Sequence, residues 1–252
     1  MTRTHRWAWG LTLAVLLGGT PAGAALIDFE TTPTGATPLD DAFLGTPYPM
    51  VEGGDVRFFF DLNGNNAFDA GVDVRPVFEA YGPDSLDGFS NGITLNGDTA
   101  NGGLAGQLGG YFLRQLQPGA PPPPFLVDYS TAFVISALSG EIWDIDGSPG
   151  NTEQWFVEVL DASNVLLASQ LSPLGNSTAL DGLPWVFSFS GLPAGVDKVR
   201  ITFAGTKTSG LGLAFNNFNP TAIPEPGTAA LMGLGGLLLA GRRLRPGGAR
   251  AS

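Results

Sequence analysis

The stretch that decides the fold is Gln154-Trp155-Phe156-Val157-Glu158-Val159-Leu160. Polar side chains stand at positions 154 and 158, and apolar side chains stand at 155, 157 and 159. Successive side chains of a β-strand point to opposite faces of its sheet, so this alternation predicts a strand with one face on a core. The stretch Lys198-Val199-Arg200-Ile201-Thr202-Phe203 alternates in the same way and predicts a second such strand.

Short apolar runs of this kind recur along the chain, and long helical periodicity is missing. The predicted strands are 56–60, 74–81, 111–117, 131–137, 141–145, 154–160, 165–170, 185–190, 196–204 and 212–218. The 37 Gly and 20 Pro are dispersed along the chain, and the segments 91–110 and 117–124 predict loops. We therefore expect residues 25–220 to form one all-β domain, a two-sheet antiparallel β-sandwich of jelly-roll or immunoglobulin-like type.

The first 24 residues have the three-part layout of a secretory signal peptide. A basic start is followed by an apolar run over 7–17, and small residues at Ala22 and Ala24 predict cleavage after Ala24. His5 is the only histidine and is removed with this segment, while the chain contains no cysteine. The mature protein therefore lacks Ser-His-Asp and Cys-His catalysis, histidine-ligated zinc and disulfide bonds.

The exported body is strongly acidic. Between residues 25 and 223 there are 22 Asp or Glu and six Lys or Arg, a net charge of 6 − 22 = −16. Such a surface repels polyphosphate backbones and anionic lipid headgroups, so we expect no nucleic-acid partner. Cations and neutral or cationic polymers are the partners that this charge favours.

The C-terminal segment 221–252 combines three features in order. Pro224-Glu225-Pro226 comes first, an apolar run over 229–241 predicts a short hydrophobic helix, and Arg242, Arg243 and Arg245 follow as a stop-transfer cluster. This order resembles the PEP-CTERM sorting tail of Gram-negative bacteria. The resemblance implies a transient inner-membrane anchor, recognition by an exosortase-type sorting enzyme, and delivery to the cell surface or extracellular matrix.

The segment 61–73 has the composition of a cation-binding loop. Oxygen-bearing side chains stand at its positions one, three, five, nine and thirteen, a spacing that can wrap a calcium ion. These residues are Asp61, Asn63, Asn65, Asp69 and Asp73. The loop resembles EF-hand and dockerin loops, with Asn66 where glycine is usual and Val72 where a bidentate Glu is usual. The alternative is a hairpin turn without an ion.

The two ends of the body are similar to the terminal strands of extracellular jelly-roll modules. Leu26-Ile27-Asp28-Phe29-Glu30 begins the mature chain, and Ala214-Phe215-Asn216-Asn217-Phe218 ends its last predicted strand. The resemblance implies that the two strands lie side by side and that Asp28, Glu30 and Asn216 share a structural calcium ion. The alternative is that these are ordinary polar residues of edge strands.

A second acidic turn, Asp144-Ile145-Asp146-Gly147, follows Trp143. Aromatic rings stack on the apolar faces of sugars, so Trp143, Asp144 and Asp146 are candidates for ligand binding. With Glu141 the two aspartates are also the candidate acid and base of a glycoside hydrolase.

The leading hypothesis is a non-enzymatic surface or matrix protein that binds or organises extracellular polysaccharide. The alternatives are a carboxylate-based polysaccharide hydrolase and a purely structural adhesin or coat protein.

Overall fold

Two large antiparallel β-sheets carry the fold in the computed structural model, which describes residues 26–51, 53–81, 100–101, 103–117, 119–130 and 134–222. The strands are β1 (Tyr48–Pro49), β2 (Asp55–Phe60), β3 (Val77–Ala80), β4 (Tyr111–Arg114), β5 (Phe125–Asp128), β6 (Ile135–Trp143), β7 (Gly147–Ser148), β8 (Asn151–Thr152), β9 (Trp155–Asp161), β10 (Leu166–Leu171), β11 (Pro184–Ser190), β12 (Val196–Phe203) and β13 (Ala214–Ala222). A short helix, α1 (Ala105–Leu108), and a 3-10 helix, Thr178–Leu180, lie between them.

The strands pair antiparallel throughout the described sheets. A six-stranded sheet has the order β1-β2-β5-β12-β9-β10, and a five-stranded sheet has the order β11-β6-β13-β4-β3. The short strands β7 and β8 form a separate hairpin. The predicted all-β fold with two antiparallel sheets is thus confirmed; the predicted C-terminal helix over 229–241 lies outside the described residues.

Aromatic side chains fill the space between the two sheets. Phe58, Phe60 and Phe125 from the six-stranded sheet meet Phe215 and Phe218 from the five-stranded sheet, and each is at most 1% exposed. The Phe125 and Phe215 rings stack with centroids 4.3 Å apart. Burial of each such side chain stabilises the fold by about 1.5–3 kcal/mol. The alternation that predicted strands at 154–160 and 198–203 is confirmed, because Trp155, Val157, Val159, Val199 and Ile201 are all buried.

Two of the predicted strands, 131–137 and 141–145, belong to one strand in the structure. β6 runs without a break from Ile135 to Trp143, although Ser139-Gly140 is a turn-like pair. A Cβ atom on Gly140 would lie 2.5 Å from Cζ of Phe187 and 3.0 Å from Cδ1 of Phe218. The glycine therefore serves the packing of two core rings, which is a common use of glycine inside a strand.

The sequence did not predict β1, β5, β7, β8, α1 or the 3-10 helix. β5 follows directly on the proline-rich segment and lies in the centre of the six-stranded sheet, between β2 and β12. The helix α1 lies within 91–110, which had predicted only a loop. β5 and α1 are four residues long and the other unpredicted elements are two or three, so none of them carries a long periodic pattern.

The two ends of the described chain are paired with each other. The Ile27 N–H donates to the Phe218 carbonyl at 2.8 Å, and the Phe218 N–H donates back to the Ile27 carbonyl at 3.0 Å. This confirms that the terminal segments lie side by side. Within the described chain no helix is long and apolar enough to cross a membrane. The predicted signal peptide and the sorting tail with Pro224, Glu225, Pro226 and the three arginines lie outside the described residues.

Candidate functional site

A polar cleft of about 470 Å³ opens on the outer face of the five-stranded sheet. Its walls come from the paired N-terminal segment, from α1 and the glycine after it, and from β6 and β13. The polar side chains that line it are those of Asp28, Glu30, Gln107, Ser139, Glu141, Asn216, Asn217 and Asn219. Strand alternation places Glu141 and Asn216 here, because their neighbours Ile142 and Phe215 point into the core.

Glu141 is at the floor of the cleft and is 6% exposed. Its Oε1 accepts a hydrogen bond from Gln107 Nε2 at 2.7 Å. Its Oε2 accepts from Trp143 Nε1 and from Asn217 Nδ2, both at 2.9 Å. The three donors hold the side chain of Glu141 in one orientation.

A β-bulge in β13 brings two asparagines to the same face of the sheet. The pairing of β13 with β6 shifts between Asn216 and Asn219, and Asn217 has a positive φ of 52°. Asn217 Nδ2 consequently reaches Gln107 O at 2.9 Å as well as Glu141, while Asn216 Nδ2 donates to Leu108 O at 2.6 Å. Bulges of this kind re-aim side chains beside binding sites.

The N-terminal segment supplies the remaining two carboxylates. Glu30 Oε1 accepts from the Gly110 N–H at 2.7 Å, and Asp28 Oδ1 accepts from the Glu30 N–H at 3.2 Å. Gly109 has φ +80°, and a Cβ atom on it would collide with the Glu30 carboxylate. The predicted group of Asp28, Glu30 and Asn216 is thus brought into one cleft, together with Glu141, Gln107 and Asn217, which sequence reasoning did not assign to it.

Trp143 is completely buried, so the expectation of an exposed sugar-binding ring at this position is wrong. The reason is a small second core on the outer face of the sheet, where Trp143 packs with Leu108, Phe112 and Ala214 beneath α1. Its indole N–H is directed to Glu141. Trp143 therefore positions a residue of the cleft and does not line its surface.

The two aspartates after Trp143 also lie away from the cleft. Asp144 is 1% exposed, and its Oδ1 accepts from the Gly182 N–H at 2.9 Å. Asp146 Oδ1 is 2.7 Å from Lys207 Nζ. Glu141, Asp144 and Asp146 therefore do not form one catalytic arrangement, because each has its own set of partners in a different place.

The loop 61–73 is closed at its base by backbone hydrogen bonds between Phe60 and Val74. Asp61 accepts from the Gly64 and Asn66 N–H groups at 2.7 and 2.8 Å, and Asp73 accepts from the Leu62 and Asp69 N–H groups at 3.0 and 2.6 Å. Asn66 adopts φ +59°, the left-handed conformation that the EF-hand-like pattern requires at this position. The loop is thereby held in a tight turn by its own carboxylates.

Three side chains of this loop converge on one point. The amide groups of Asn63 and Asn65 lie 2.7 and 2.6 Å from Asp69 Oδ2. From β12, Lys198 Nζ donates to Asn66 O at 2.9 Å and fixes the loop to the sheet. Among the described residues, no group of three or more carboxylate, histidine or cysteine side chains is placed to hold a metal ion.

An antiparallel β-sandwich with a polar, acidic cleft on one sheet is the class of protein that these features define. No protein-family model matches the chain, and no curated protein sequence matches it. Among solved structures, the K2 adhesin domain of Lys-gingipain is similar, with a TM-score of 0.38 and 12% identity over 79% of this chain and 98% of that one. The K1 adhesin domain of Lys-gingipain from Porphyromonas gingivalis has a TM-score of 0.33 and 17% identity over 55% of this chain and 97% of that one.

A carbohydrate-binding module from a family 31 glycoside hydrolase of Clostridium perfringens is similar as well. Its TM-score is 0.29, with 17% identity over 56% of this chain and 87% of that one. Similarities at this level concern the arrangement of strands alone. The function of the chain is therefore argued from its own cleft and loops.

Proposed function

We propose that this protein is an exported surface or matrix protein whose β-sandwich binds or organises extracellular polysaccharide through the cleft at Glu141. The observation that carries the proposal is the set of eight polar side chains that line one cleft on the outer face of the five-stranded sheet. Sugar hydroxyl groups both donate and accept hydrogen bonds. Carboxylates accept from them, and the side-chain amides of asparagine and glutamine do both.

The charge of the cleft indicates which sugars would bind. Asp28, Glu30 and Glu141 lie among its described lining residues, and no Lys or Arg lies there. Unpaired anionic groups on a ligand would face these carboxylates and be repelled. Neutral or amino-sugar polymers are thus favoured over uronic acid polymers.

Exchange of Glu141 for glutamine is expected to weaken polysaccharide binding by about tenfold or more, because hydrogen bonds to a charged group are worth about 1.5–3 kcal/mol. The glutamine keeps the shape of the side chain and loses its charge. Binding of the purified protein to the extracellular polysaccharide of the producing cell would be measured by isothermal titration calorimetry.

Asp128→Asn is the matched control, because Asp128 lies on the opposite sheet and its nearest cation, Arg57, is 3.9 Å away. It should bind like the unaltered protein. Equal binding by the Glu141→Gln and unaltered proteins would remove the cleft from the proposal. Shortening of the polysaccharide during the titration would instead support the hydrolase alternative.

We propose in addition that the chain is exported by its N-terminal signal and sorted through the tail at Pro224-Glu225-Pro226. The support is the order of signal peptide, Pro-Glu-Pro, apolar run and arginine cluster in the sequence. Protein isolated from the native host should then lack the residues beyond this tripeptide in a mass measurement. An intact Ser252 end would contradict sorting by an exosortase-type enzyme.

Calcium is proposed as a ligand of the loop 61–73, supported by the approach of Asn63 and Asn65 to Asp69 Oδ2. Calcium prefers six to eight oxygen ligands. The amide oxygens of Asn63 and Asn65 accept hydrogen bonds from the Asn65 and Ala67 N–H groups at 3.2 and 2.8 Å, so both amides would have to turn to bring these oxygens to a cation beside Asp69. The hydrogen bonds of Asp61 and Asp73 hold the loop in place without an ion. The folded shape of the loop therefore does not depend on calcium, although bound calcium would increase the stability of the protein.

Calcium at one hundred times its dissociation constant should stabilise the protein by about 2.7 kcal/mol. This corresponds to a rise in Tm of roughly 5–10 °C for a domain of this size. Asp69→Asn should abolish the rise, since it removes the charge on which the loop amides converge. Asp181→Asn, outside the loop, should keep it. Melting curves with calcium and with a chelator that coincide for the unaltered protein would contradict the proposal.

A further inference from the structure

Three ionisable residues from distant parts of the chain meet at one end of the sandwich. Lys207 Nζ lies 2.6 Å from Glu153 Oε1 and 2.7 Å from Asp146 Oδ1. The Glu153 side chain is fully buried, and those of Lys207 and Asp146 are 11% and 21% exposed. Asp146 follows β6 of the five-stranded sheet, whereas Glu153 precedes β9 and Lys207 follows β12 of the six-stranded sheet.

The backbone around this cluster is tightly built. The N–H groups of Thr206 and Lys207 both donate to the Thr152 carbonyl, at 2.8 and 2.9 Å. Glu153 and Gly175 exchange two backbone hydrogen bonds of 3.0 and 2.8 Å. A Cβ atom on Gly175 would lie 2.6 Å from the Asp146 carbonyl oxygen, which leaves no room for any larger residue. The three side chains are therefore held at fixed positions by the main chain.

The surroundings of Glu153 favour the protonated, uncharged form of its carboxyl group. Burial raises its pKa to about 8, against the opposing effect of the Lys207 ammonium group. Its second oxygen, Oε2, is buried and has no hydrogen-bond partner. A buried acid without a full set of partners is costly to keep, so its position between an amine and a carboxylate calls for an explanation.

We propose that Lys207 and Asp146 join in an intramolecular isopeptide bond, with Glu153 as the proton carrier. In the reaction Lys207 Nζ attacks Cγ of Asp146, an N–C bond forms, and one C–O bond of the carboxylate breaks. Of the three hydrogens on the ammonium group one stays on the amide nitrogen, and two leave with the oxygen as water. Glu153 gives its proton to the leaving oxygen and regains one from the nitrogen, so it ends unchanged, and no oxidant or other reactant is needed.

The amine must first lose a proton. Burial lowers the pKa of Lys207, but its hydrogen bonds to Asp146 and Glu153 outweigh this effect and raise the pKa, so the ammonium proton has to pass to Asp146 across the 2.7 Å contact before the nitrogen can attack. The attacking and accepting groups are already in hydrogen-bond contact, so little further entropy is lost before the reaction. The water released leaves toward the partly exposed side of Asp146.

The bond would link the two sheets covalently across 61 residues of chain. The chain contains no cysteine and so no disulfide bond. The isopeptide bond would stabilise the fold as a disulfide does, by reducing the conformational entropy of the unfolded chain. A surface protein under mechanical load gains directly from such a link. The proposal is independent of polysaccharide binding, because the cluster lies outside the cleft.

The other lysine of the chain provides an internal comparison. Lys198 is also buried, and its Nζ lies 3.1 Å from Asp197 Oδ2. Its remaining contact is with a backbone carbonyl, that of Asn66, and not with a buried glutamic acid. Lys198 therefore has the charge partner but lacks the proton carrier, and it should stay a free amine.

The experiment is peptide mapping of the denatured full chain after digestion with trypsin. Trypsin cuts after Arg114, Lys198 and Arg200, so Asp146 lies in the peptide 115–198 and Lys207 in the peptide that begins at residue 201. These two should appear as one branched species, lighter than their sum by one water molecule. Cleavage after Lys207 should be lost as well.

Lys207→Arg, Asp146→Ala and Glu153→Gln should each give separate linear peptides, whereas Lys198→Arg should keep the branched species. Two linear peptides of full mass from the unaltered protein would overturn the proposal, whether or not the variants fold. A branched species that persists in Glu153→Gln would overturn the role of Glu153. Circular dichroism of that variant shows whether its fold is retained.

Discussion

Phe125→Ala should lower the free energy of unfolding by about 3–5 kcal/mol, which is a large part of the stability of an ordinary domain. Phe125 is fully buried in β5, at the centre of the six-stranded sheet. Its ring stacks on Phe215 at 4.3 Å and also contacts Phe60 at 5.0 Å. Because partners from both sheets surround it, the cavity left by alanine can close only if the two sheets shift toward each other, which their packing resists.

Urea unfolding followed by tryptophan fluorescence would measure the effect as a lower midpoint at an unchanged slope. Phe43→Ala is the matched control, since Phe43 is 59% exposed and its removal should change stability by no more than about 0.5 kcal/mol. If both variants unfold at the midpoint of the unaltered protein, the central stack does not stabilise the domain as argued.

Stability should fall as the pH rises from about 5 to about 9, in large part through Glu153. Burial raises the pKa of this residue from the ordinary 4.5 to about 8 in the folded protein. Between these values the folded chain holds a proton that the unfolded chain has released. The stabilising contribution is thus complete below pH 4.5 and is lost as the pH passes through about 8.

The measurement is Tm as a function of pH for the unaltered protein and for Glu153→Gln. Glutamine cannot ionise, so the Tm of the Glu153→Gln variant should not show this part of the decline with pH. This holds even if the variant has a lower Tm than the unaltered protein at low pH. Gln154→Ala, a neutral change at the neighbouring position, should keep the decline. Parallel curves for the unaltered protein and Glu153→Gln would show that Glu153 does not titrate in this range.

Arg114 illustrates the kind of contact that local patterns do not reveal. It is 6% exposed and pairs with the buried Glu79 at 2.7 Å and with Asp41 at 2.6 Å. These partners are 35 and 73 residues away in sequence. Its alternating neighbours predict a strand at this place, but they carry no information about which acid lies opposite, because that depends on how the strands are ordered in the sheet.

The sequence by itself determined the all-β class, most of the strands and the left-handed turn at Asn66. Each of these follows from interactions between neighbours along the chain, namely the two-residue period of a strand and the tolerance of asparagine for positive φ. The resemblance to known modules added the adjacency of Ile27 and Phe218.

Only the tertiary structure decided how the functional groups are combined. It buried Trp143 under α1, brought Gln107 and Asn217 to Glu141, and placed Lys207 between Asp146 and Glu153. These four contacts of Glu141 and Lys207 join residues at least 34 positions apart. Contacts over such separations are set by the order of the strands in the sheets, and many strand orders fit the same alternating pattern, so local sequence could not specify them.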